Sequence, residues 1–304
     1  MNSALQNYGG DPLSSEQACV NYLFKKRWPW GFTCPFCGTV QQEIAPAFTV
    51  VCRFCRKQTS ITARTLMHGS KKSLAAWMRV AWLFCSAEPG LSARKLQQLI
   101  ALSCYHTAWK WLQKMRRGAA LAESAPCSGT ALVTLHFVPA TKPPLPSSTP
   151  TGKAIVLAME TDGQKPITRR IRFTEINSQE PYSITQAISR LVTADSTMLL
   201  QNSLQPCTSQ LYTTYDLTLA TRKQQEYGQL VFEETRGWLD TVYRGAVDSR
   251  YLQNYLDEFS FRYNTKSWPD RLAVLDHLLS GLVKPLQDES MKTNSDLWRR
   301  NYDK

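Results

Sequence analysis

The sequence predicts a multidomain protein with an N-terminal four-cysteine zinc ribbon, a helical region with a helix-turn-helix pattern, and an α+β domain with a mixed sheet and C-terminal helices. Three observations support this fold class. Two Cys-x-x-Cys pairs lie between residues 34 and 55, helical apolar periodicity runs through residues 74–117, and the pattern changes to β-strand near residue 123. A length of 304 residues suits roughly two domains with small modules attached.

The cysteine pairs predict a metal site. Cys34 and Cys37 form one pair, Cys52 and Cys55 form the other, and fourteen residues separate the pairs. Two such turns complete a tetrahedral zinc shell, and four thiolates leave no open position for substrate, so we expect the zinc to be structural. The alternatives are four unrelated buried thiols or disulfides. The sequence shows no secretory signal, and the other five cysteines show no pairing pattern.

The ribbon is expected at residues 31–63, after a helical lead-in at residues 1–30 that ends in a basic-aromatic run at residues 25–30. Phe36, Phe48 and Phe54 are the expected apolar core of the ribbon. A module this small cannot fold without its metal, because it buries too little apolar surface.

Charge is distributed unevenly along the chain. Residues 1–120 contain 16 Lys and Arg residues against 4 Asp and Glu residues, whereas residues 121–304 contain 20 of each. Concentrated positive charge is typical of a DNA-binding surface, although it also occurs as a solvated face with no partner. No apolar run is long enough to span a bilayer, so no membrane is expected as a partner. No small-molecule substrate is expected either.

Residues 64–122 predict a helix-turn-helix region. One helix covers the Trp77 region, Ser92 is expected to cap a second, and a short turn leads to a third that contains Ala108 and Leu112. An ordinary three-helix bundle with a solvated basic face is the alternative. The candidate DNA contacts on the outward faces are Arg94, Lys95, Tyr105, His106, Lys110, Lys114, Arg116 and Arg117.

The segment 123–283 predicts the α+β domain, and residues 284–304 form a tail. Strands are expected at 130–138, 153–159, 167–176 and 197–201, with a Pro- and Ser-rich loop at 139–152, a helix at 183–192 and a helix at 250–259. Three strands, a helix, another strand and further helices indicate layers around a mixed sheet.

Several of these segments resemble one family. The motif Cys34-Pro35-Phe36-Cys37-Gly38, the segments 62–68 and 91–96, and above all residues Tyr255–Lys266 are similar to the zinc-ribbon transposases of bacterial insertion sequences, the class related to the Merlin elements. The resemblance implies a ribonuclease-H-like domain that cuts and joins DNA with two divalent metal ions held by three acidic residues. It also implies a cytoplasmic, nucleoid-associated bacterial protein that forms a homo-oligomer, with a related active transposase as a further partner.

The positions that match the acidic triad of the family lack acids. They fall at Thr134, Asn202 and, by counting back from the C-terminal motif, Leu230. No Asp or Glu lies between Glu123 and Glu160, and two closely spaced Mg²⁺ ions require anionic oxygen ligands. The expected function is therefore DNA binding without catalysis, with Mg²⁺ as a cofactor only in the alternative that follows.

In that alternative, other acids form a rearranged site and the protein is an active transposase. The candidates are Glu160 and Asp162, together with Glu233 or Glu234. A third possibility is a ribbon that binds protein, which the basic N-terminal region disfavours. Glu258 and Arg262, one helical turn apart, are expected to form an ion pair that secures the fold.

Overall fold

A computed structural model describes residues 15–139, 152–162, 168–207, 211, 215–244 and 247–286. The chain divides into two compact units. Met1–Ala122 and Trp268–Lys304 form the ribbon-helix unit, and Glu123–Ser267 form the sheet unit. Most of the expected 139–152 loop, the lead-in before residue 15 and the tail after residue 286 lie outside the described residues.

The described part of the ribbon-helix unit begins with a helix and two small antiparallel hairpins. Its first elements are α1 (Glu16–Arg27), β1 (Phe32–Thr33), β2 (Val40–Gln41), β3 (Thr49–Val51) and β4 (Gln58–Ser60). Ser15 caps α1, because its side chain accepts a hydrogen bond from the amide of Ala18. Each hairpin carries one cysteine pair in the turn between its strands, so the strands fix the orientation of the cysteine side chains.

The described residues of this unit also form the helices α2 (Leu74–Ser86), α3 (Ala93–Leu99), α4 (Tyr105–Ala122) and α8 (Arg271–Leu282). The expected cap at Ser92 is confirmed, since its hydroxyl accepts a hydrogen bond from the amide of Lys95. The carboxylate of Glu16 on α1 accepts hydrogen bonds from the amides of Leu74 and Ala75, and so caps α2 from another helix.

Helix α8 packs on α4 at close range. A Cβ atom built on Gly281 would collide with the carbonyl oxygen of Gly118 and would lie 2.7 Å from the amide nitrogen of Ala122. This helix falls within the expected α+β domain, residues 123–283, but it belongs to the ribbon-helix unit. The assignment followed chain order, whereas the two small residues that allow the contact lie far apart in sequence.

The sheet unit contains five strands in the order β7-β6-β5-β8-β9. The first three strands pair antiparallel, while β8 and β9 run parallel to β5. The strands are β5 (Thr130–Pro139), β6 (Gly152–Thr161), β7 (Thr168–Ile176), β8 (Thr197–Leu200) and β9 (Asp216–Leu219). The helices are α5 (Pro181–Leu191), α6 (Arg222–Tyr243) and α7 (Leu252–Thr265), and Asn202–Cys207 forms a 3₁₀ helix.

Apolar residues cover both faces of the sheet. Val133, Val156 and Leu200 join the layer that includes Ile188 of α5, and alternate residues such as Leu132 and Leu157 join a second layer with α6 and α7. Residue Thr134 points to the second layer, because side chains alternate along β5. The sheet therefore presents Thr134 to α6.

Two amide side chains of α7 bond to strand β7, at the end of the strand order. Gln253 accepts a hydrogen bond from the amide of Glu175 and donates to the carbonyl of Phe173. Asn264 accepts from the amide of Ile171 and donates to its carbonyl. These bonds replace a missing neighbouring strand, and they protect an edge that would otherwise pair with another chain. Asn264 lies in the segment Tyr255–Lys266, and its two bonds to Ile171 give this residue a structural role.

Candidate metal centre and nucleic-acid interface

The two cysteine turns have nearly the same backbone geometry. The amide of Gly38 donates to the carbonyl of Cys34 at 2.9 Å, and the amide of Arg56 donates to the carbonyl of Cys52 at 3.0 Å. Gly38 and Arg56, which follow the second cysteine of each turn, both have positive φ angles, 73° and 61°. Such φ values suit glycine and are costly for arginine, so a strong local constraint holds the second turn.

The four thiols converge as a zinc site requires. Their Sγ atoms all lie within 4.8 Å of one another, with 3.6 Å between Cys34 and Cys55 and 3.7 Å between Cys37 and Cys52. A tetrahedral site with Zn–S bonds of about 2.3 Å separates its sulfur atoms by about 3.8 Å. Hydrogen bonds with Thr39 lower the pKa of the Cys37 thiol to about 6, whereas the pKa of the neighbouring Cys55 thiol is raised to about 11, so the convergence of the sulfur atoms and not their acidity supports the metal site. The residues fit a structural zinc ion.

The aromatic core of the ribbon differs from the expected one. Phe36, Phe48 and Phe54 are 55%, 46% and 78% exposed. The buried rings are instead those of Trp28 and Phe32, which contact edge to face at 5.0 Å. For Phe36 and Phe54 the expectation was wrong because a cysteine turn directs its sulfur atoms toward the metal site, which leaves the residues between the cysteines outside; Phe48 lies before β3 and is not part of either turn.

Arg27 belongs to the basic-aromatic run, but it has a structural role. Its guanidinium donates hydrogen bonds to the carbonyls of Ser60, Ile61 and Ala63, and so holds α1 to the end of β4. It also lies over the ring of Trp28 at 4.6 Å. Burial lowers the pKa of Arg27 to about 10. Sequence reasoning missed this role, because charge alone does not distinguish a buried arginine from a solvated one.

The candidate DNA contacts separate into two groups by exposure. Arg94, Lys95 and Tyr105 are exposed, on α3 and the first turn of α4. His106 and Lys110 are half-buried, and His106 stacks against Trp109 with ring centroids 5.7 Å apart.

Further along α4 the basic side chains are less accessible. Arg116 is 1% exposed, so no phosphate reaches its guanidinium in this structure. Burial lowers the pKa of both Lys114 and Arg117, and the Lys114 ammonium lies 5.3 Å from the centroid of Trp77. The helical repeat predicted an outward face, but α8 packs on this half of α4, and that contact has no signal in the local sequence. The residues in the first turns of α4 therefore remain candidate DNA contacts, whereas Arg116 does not.

In the sheet unit, Thr134 is fully buried and bonded to a histidine. The Thr134 hydroxyl lies 2.8 Å from Nε2 of His136, whose ring stacks on Phe232 of α6 at 4.2 Å. Burial lowers the pKa of His136 to about 4, so the ring is neutral near pH 7. Gly228 of α6 presses on the same threonine, since an added Cβ would lie 2.8 Å from its Cγ2. This position holds a packed, uncharged pair.

Asn202 lies near this pair, just beyond the C-terminal end of β8. Val133 pairs with Leu200, and the Gln201 side chain accepts a hydrogen bond from the amide of Leu135. The Asn202 side chain accepts one from Gln225 of α6 at 3.2 Å. Helix α6 thus reaches both positions, through Gly228 and through Gln225.

The third position that matches the acidic triad of the family does not face the sheet. Leu230 is 66% exposed on α6, whereas Gly228 and Phe232 face the sheet. Counting residues back from a motif fixes a position only to within a few residues, and one helical residue changes direction by about 100°.

The acids proposed for a rearranged site make other contacts. Glu160 accepts a hydrogen bond from the amide of Ser128 at 2.9 Å, and Asp162 pairs with Arg169 at 2.9 Å. Glu233 accepts from Gln229 and pairs with Arg236. Among the described residues, the four cysteines are the sole group of three or more Cys, His, Asp or Glu side chains whose ligand atoms converge.

The pair Glu258–Arg262 is confirmed as an intrahelical ion pair. Its atoms lie 2.9 Å apart, and the Tyr243 hydroxyl donates to the other oxygen of the buried carboxylate. Contacts from Nε and Nη2 of Arg262 and from the Tyr243 hydroxyl thus satisfy a charge that would be costly to bury alone.

A model of the transposase zinc-ribbon domain, IS1595 type, matches residues 14–58. This segment contains α1 and all four cysteines. No curated protein matches the chain. Along the described part of the chain, no helix combines the length and apolar composition needed to cross a membrane. The match thus shows a transposase-type zinc ribbon at residues 14–58, and its four cysteines form the zinc-binding cluster.

Proposed function

We propose that this protein binds DNA through its ribbon and helical region, and that its sheet unit is a transposase domain that no longer cuts DNA. The observation that carries the proposal is a zinc ribbon of transposase type within a strongly basic region. Residues 1–120 hold all of the net positive charge, +12, of the chain. Such a charge gradient favours a polyanion partner at one end of the molecule.

The strand order supports a ribonuclease-H-like fold for the sheet unit. Three antiparallel strands precede a helix and a parallel strand beside β5, as the resemblance implies. The elements expected to carry the acidic triad, namely β5, the end of β8 and α6, also come together. The proposal of a degenerate site rests on this convergence.

The side chains at that convergence do not suit metal catalysis. Thr134 is buried against neutral His136, Asn202 is uncharged, and Leu230 points to solvent. Two Mg²⁺ ions need carboxylate oxygens to offset their mutual repulsion. A site of hydroxyl, amide and imidazole groups lacks that charge.

The exposed cations of α3, together with an exposed tyrosine and a half-buried lysine in the first turns of α4, are the proposed duplex contacts. Arg94 and Lys95 begin α3, while Tyr105 and Lys110 lie at the start of α4. A helix-turn-helix presents such residues to phosphates and base edges. Residues further along α4 then serve packing.

Two assays on one preparation test the proposal. Duplex binding should weaken with salt, with a log–log slope of about −5 for about six phosphate contacts. Arg94→Ala combined with Lys110→Ala should reduce the slope by about 2, whereas the matched control Arg222→Ala with Arg236→Ala on α6 should not. Supercoiled DNA should stay intact in Mg²⁺ and Mn²⁺. Salt-independent binding, or an unchanged slope in the α3–α4 variant, would contradict the duplex-binding surface.

One observation favours the second candidate, an active transposase with rearranged acids. The charge of Glu233 acts on the pKa of His136, so a carboxylate lies close to the convergence. Nicking that depends on Mg²⁺ and is abolished by Glu233→Ala, but not by Glu234→Ala, would establish that candidate. Self-association, alone or with a related active transposase, also belongs to the proposal, and sedimentation of the protein with and without DNA tests it.

A further inference from the structure

Two exposed phenylalanines mark the turns of the zinc ribbon. Phe36 and Phe54 hold the same position, directly before the second cysteine of each pair. They are 55% and 78% exposed, although the nearby Phe32 is completely buried. Packing within the ribbon therefore does not explain these two rings, and both are placed around one metal centre.

Cations flank the rings. Arg53, Arg56 and Lys57 are exposed, and the Lys57 ammonium lies 4.6 Å from the centroid of Phe36. That contact connects the second turn to the ring of the first. Residues 31–63 contain only one carboxylate, that of Glu43. A polyanion can thus approach the rings without strong repulsion from acidic groups.

The net field of the cations is nevertheless weak. Four thiolates around Zn²⁺ carry two net negative charges, which offset most of the charge of the three cations. A ligand at this surface must therefore gain most of its affinity from the rings. Unpaired nucleic-acid bases fit, because every base has a π face and stacks on aromatic side chains regardless of sequence.

We propose that Phe36 and Phe54 form a stacking site for unpaired bases of DNA, such as those of a single-stranded overhang. The site rests on the proposed DNA-binding function and deepens it, since duplex binding is assigned to α3 and α4 and unpaired ends to the ribbon. Apolar docking of a protein partner is the other occupant of such a surface, and the test separates the two.

The test compares a blunt duplex with the same duplex carrying an oligo-dT overhang, by fluorescence anisotropy on the zinc-loaded full chain. The wild type should bind the overhang duplex more tightly. Phe36→Leu with Phe54→Leu should remove that preference, because affinity for the overhang duplex should fall by about 5- to 160-fold per stacked ring. Affinity for the blunt duplex should stay unchanged. Leucine keeps the apolar surface but has no π face. Phe48→Leu, on the ribbon but outside the turns, is the matched control.

Three readouts keep the test decisive. The salt slope for the overhang duplex should be the same in the wild type and the double variant, because stacking releases few counterions. Phe54→Trp should retain the preference. Zinc content confirms that each variant is folded. If the leucine variant loses zinc, Phe36→Tyr with Phe54→Tyr is measured in its place, and this tyrosine variant should retain the preference because tyrosine also stacks.

The failures are distinguishable. Equal wild-type affinity for both duplexes, or a preference that survives the leucine changes, would overturn the stacking site and leave the proposed function intact. Absence of salt-dependent binding to the blunt duplex would instead contradict the proposed function.

Discussion

The ribbon and the sheet unit have opposite relations between chemistry and stability. In the ribbon, four thiolates converge on a position that fits zinc, and little apolar surface is buried around it. In the sheet unit, apolar layers cover both faces, and the convergent positions hold Thr134, His136 and Asn202. Under the proposed function, the ligand set required for folding is kept in the sequence, whereas the set required only for catalysis is replaced by packed side chains.

The largest effect expected from this comparison is loss of a zinc ligand. Cys52→Ala should release zinc and unfold the ribbon, because structural zinc contributes about 10–16 kcal/mol to small zinc modules. The sheet unit should keep its own unfolding transition. Zinc content and limited proteolysis provide the measurement. Cys104→Ser, at an exposed cysteine outside the cluster, should change neither; zinc retained in Cys52→Ala would break the comparison.

The next effect concerns helix packing that does not depend on metal. Gly281→Ala should destabilise the ribbon-helix unit by about 3 kcal/mol, because the added methyl group collides with the backbone of α4. Gly237→Ala on α6 has open space around it and should be neutral or slightly stabilising. Urea denaturation measures both. A neutral Gly281→Ala variant would contradict the assignment of α8 to this unit.

A pH experiment sharpens the comparison within the sheet unit. Burial lowers the pKa of His136 to about 4 and raises the pKa of Asp257 to about 7. The unfolded chain binds more protons at His136 between about pH 4 and 6.5, so this residue makes stability fall as pH falls. The folded chain binds more protons at Asp257 between about pH 4 and 7, so this residue makes stability fall as pH rises.

The two contributions should largely cancel in the wild type. Relative to it, His136→Gln should show stability that falls from pH 4 to 6.5, and Asp257→Asn should show stability that rises, each with a slope of up to about 1.4 kcal/mol per pH unit. Urea unfolding across this range measures the slopes. Parallel curves for all three proteins would refute the buried, neutral state of His136.

The smallest expected effect tests the contact between α6 and β5. Gly228→Ala should cost about 1 kcal/mol, because its methyl group crowds Thr134 while the helix gains some intrinsic stability. Thr134→Ser removes the crowded methyl group and keeps the hydroxyl near His136, so the double variant should recover that loss. Additive effects in this cycle would show that the two residues do not touch.

Some features could be predicted from sequence because their signal is local. The spacing of Cys34 and Cys37 indicates the metal turn, Ser92 indicates a helix start, and Glu258 with Arg262 indicates a pair one turn apart. Each of these depends on neighbours within a few residues. Alternation and apolar content likewise predicted the strands around Thr134, because a strand imposes its period on its own side chains.

Other features depend on distant contacts and were missed. Arg116 was expected on the solvated face of α4 but is buried. The helix that packs on this half of α4 is α8, which lies more than 150 residues later in the chain. Phe36 and Phe54 have the hydrophobicity of core residues, but the geometry of a cysteine turn excludes them from the interior. Leu230 shows that a residue count does not determine which face of a helix a side chain occupies.

The assignment of α8 to the ribbon-helix unit has a consequence for biosynthesis. A ribosome releases residues 1–122 first, yet Gly118 contacts a helix that begins only at Arg271. The sheet unit, an uninterrupted stretch of chain, is complete before that helix leaves the exit tunnel. A nascent chain in which residues up to about 267 have left the exit tunnel should therefore contain a protease-resistant sheet unit, while residues 1–122 still lack the helix that begins at Arg271.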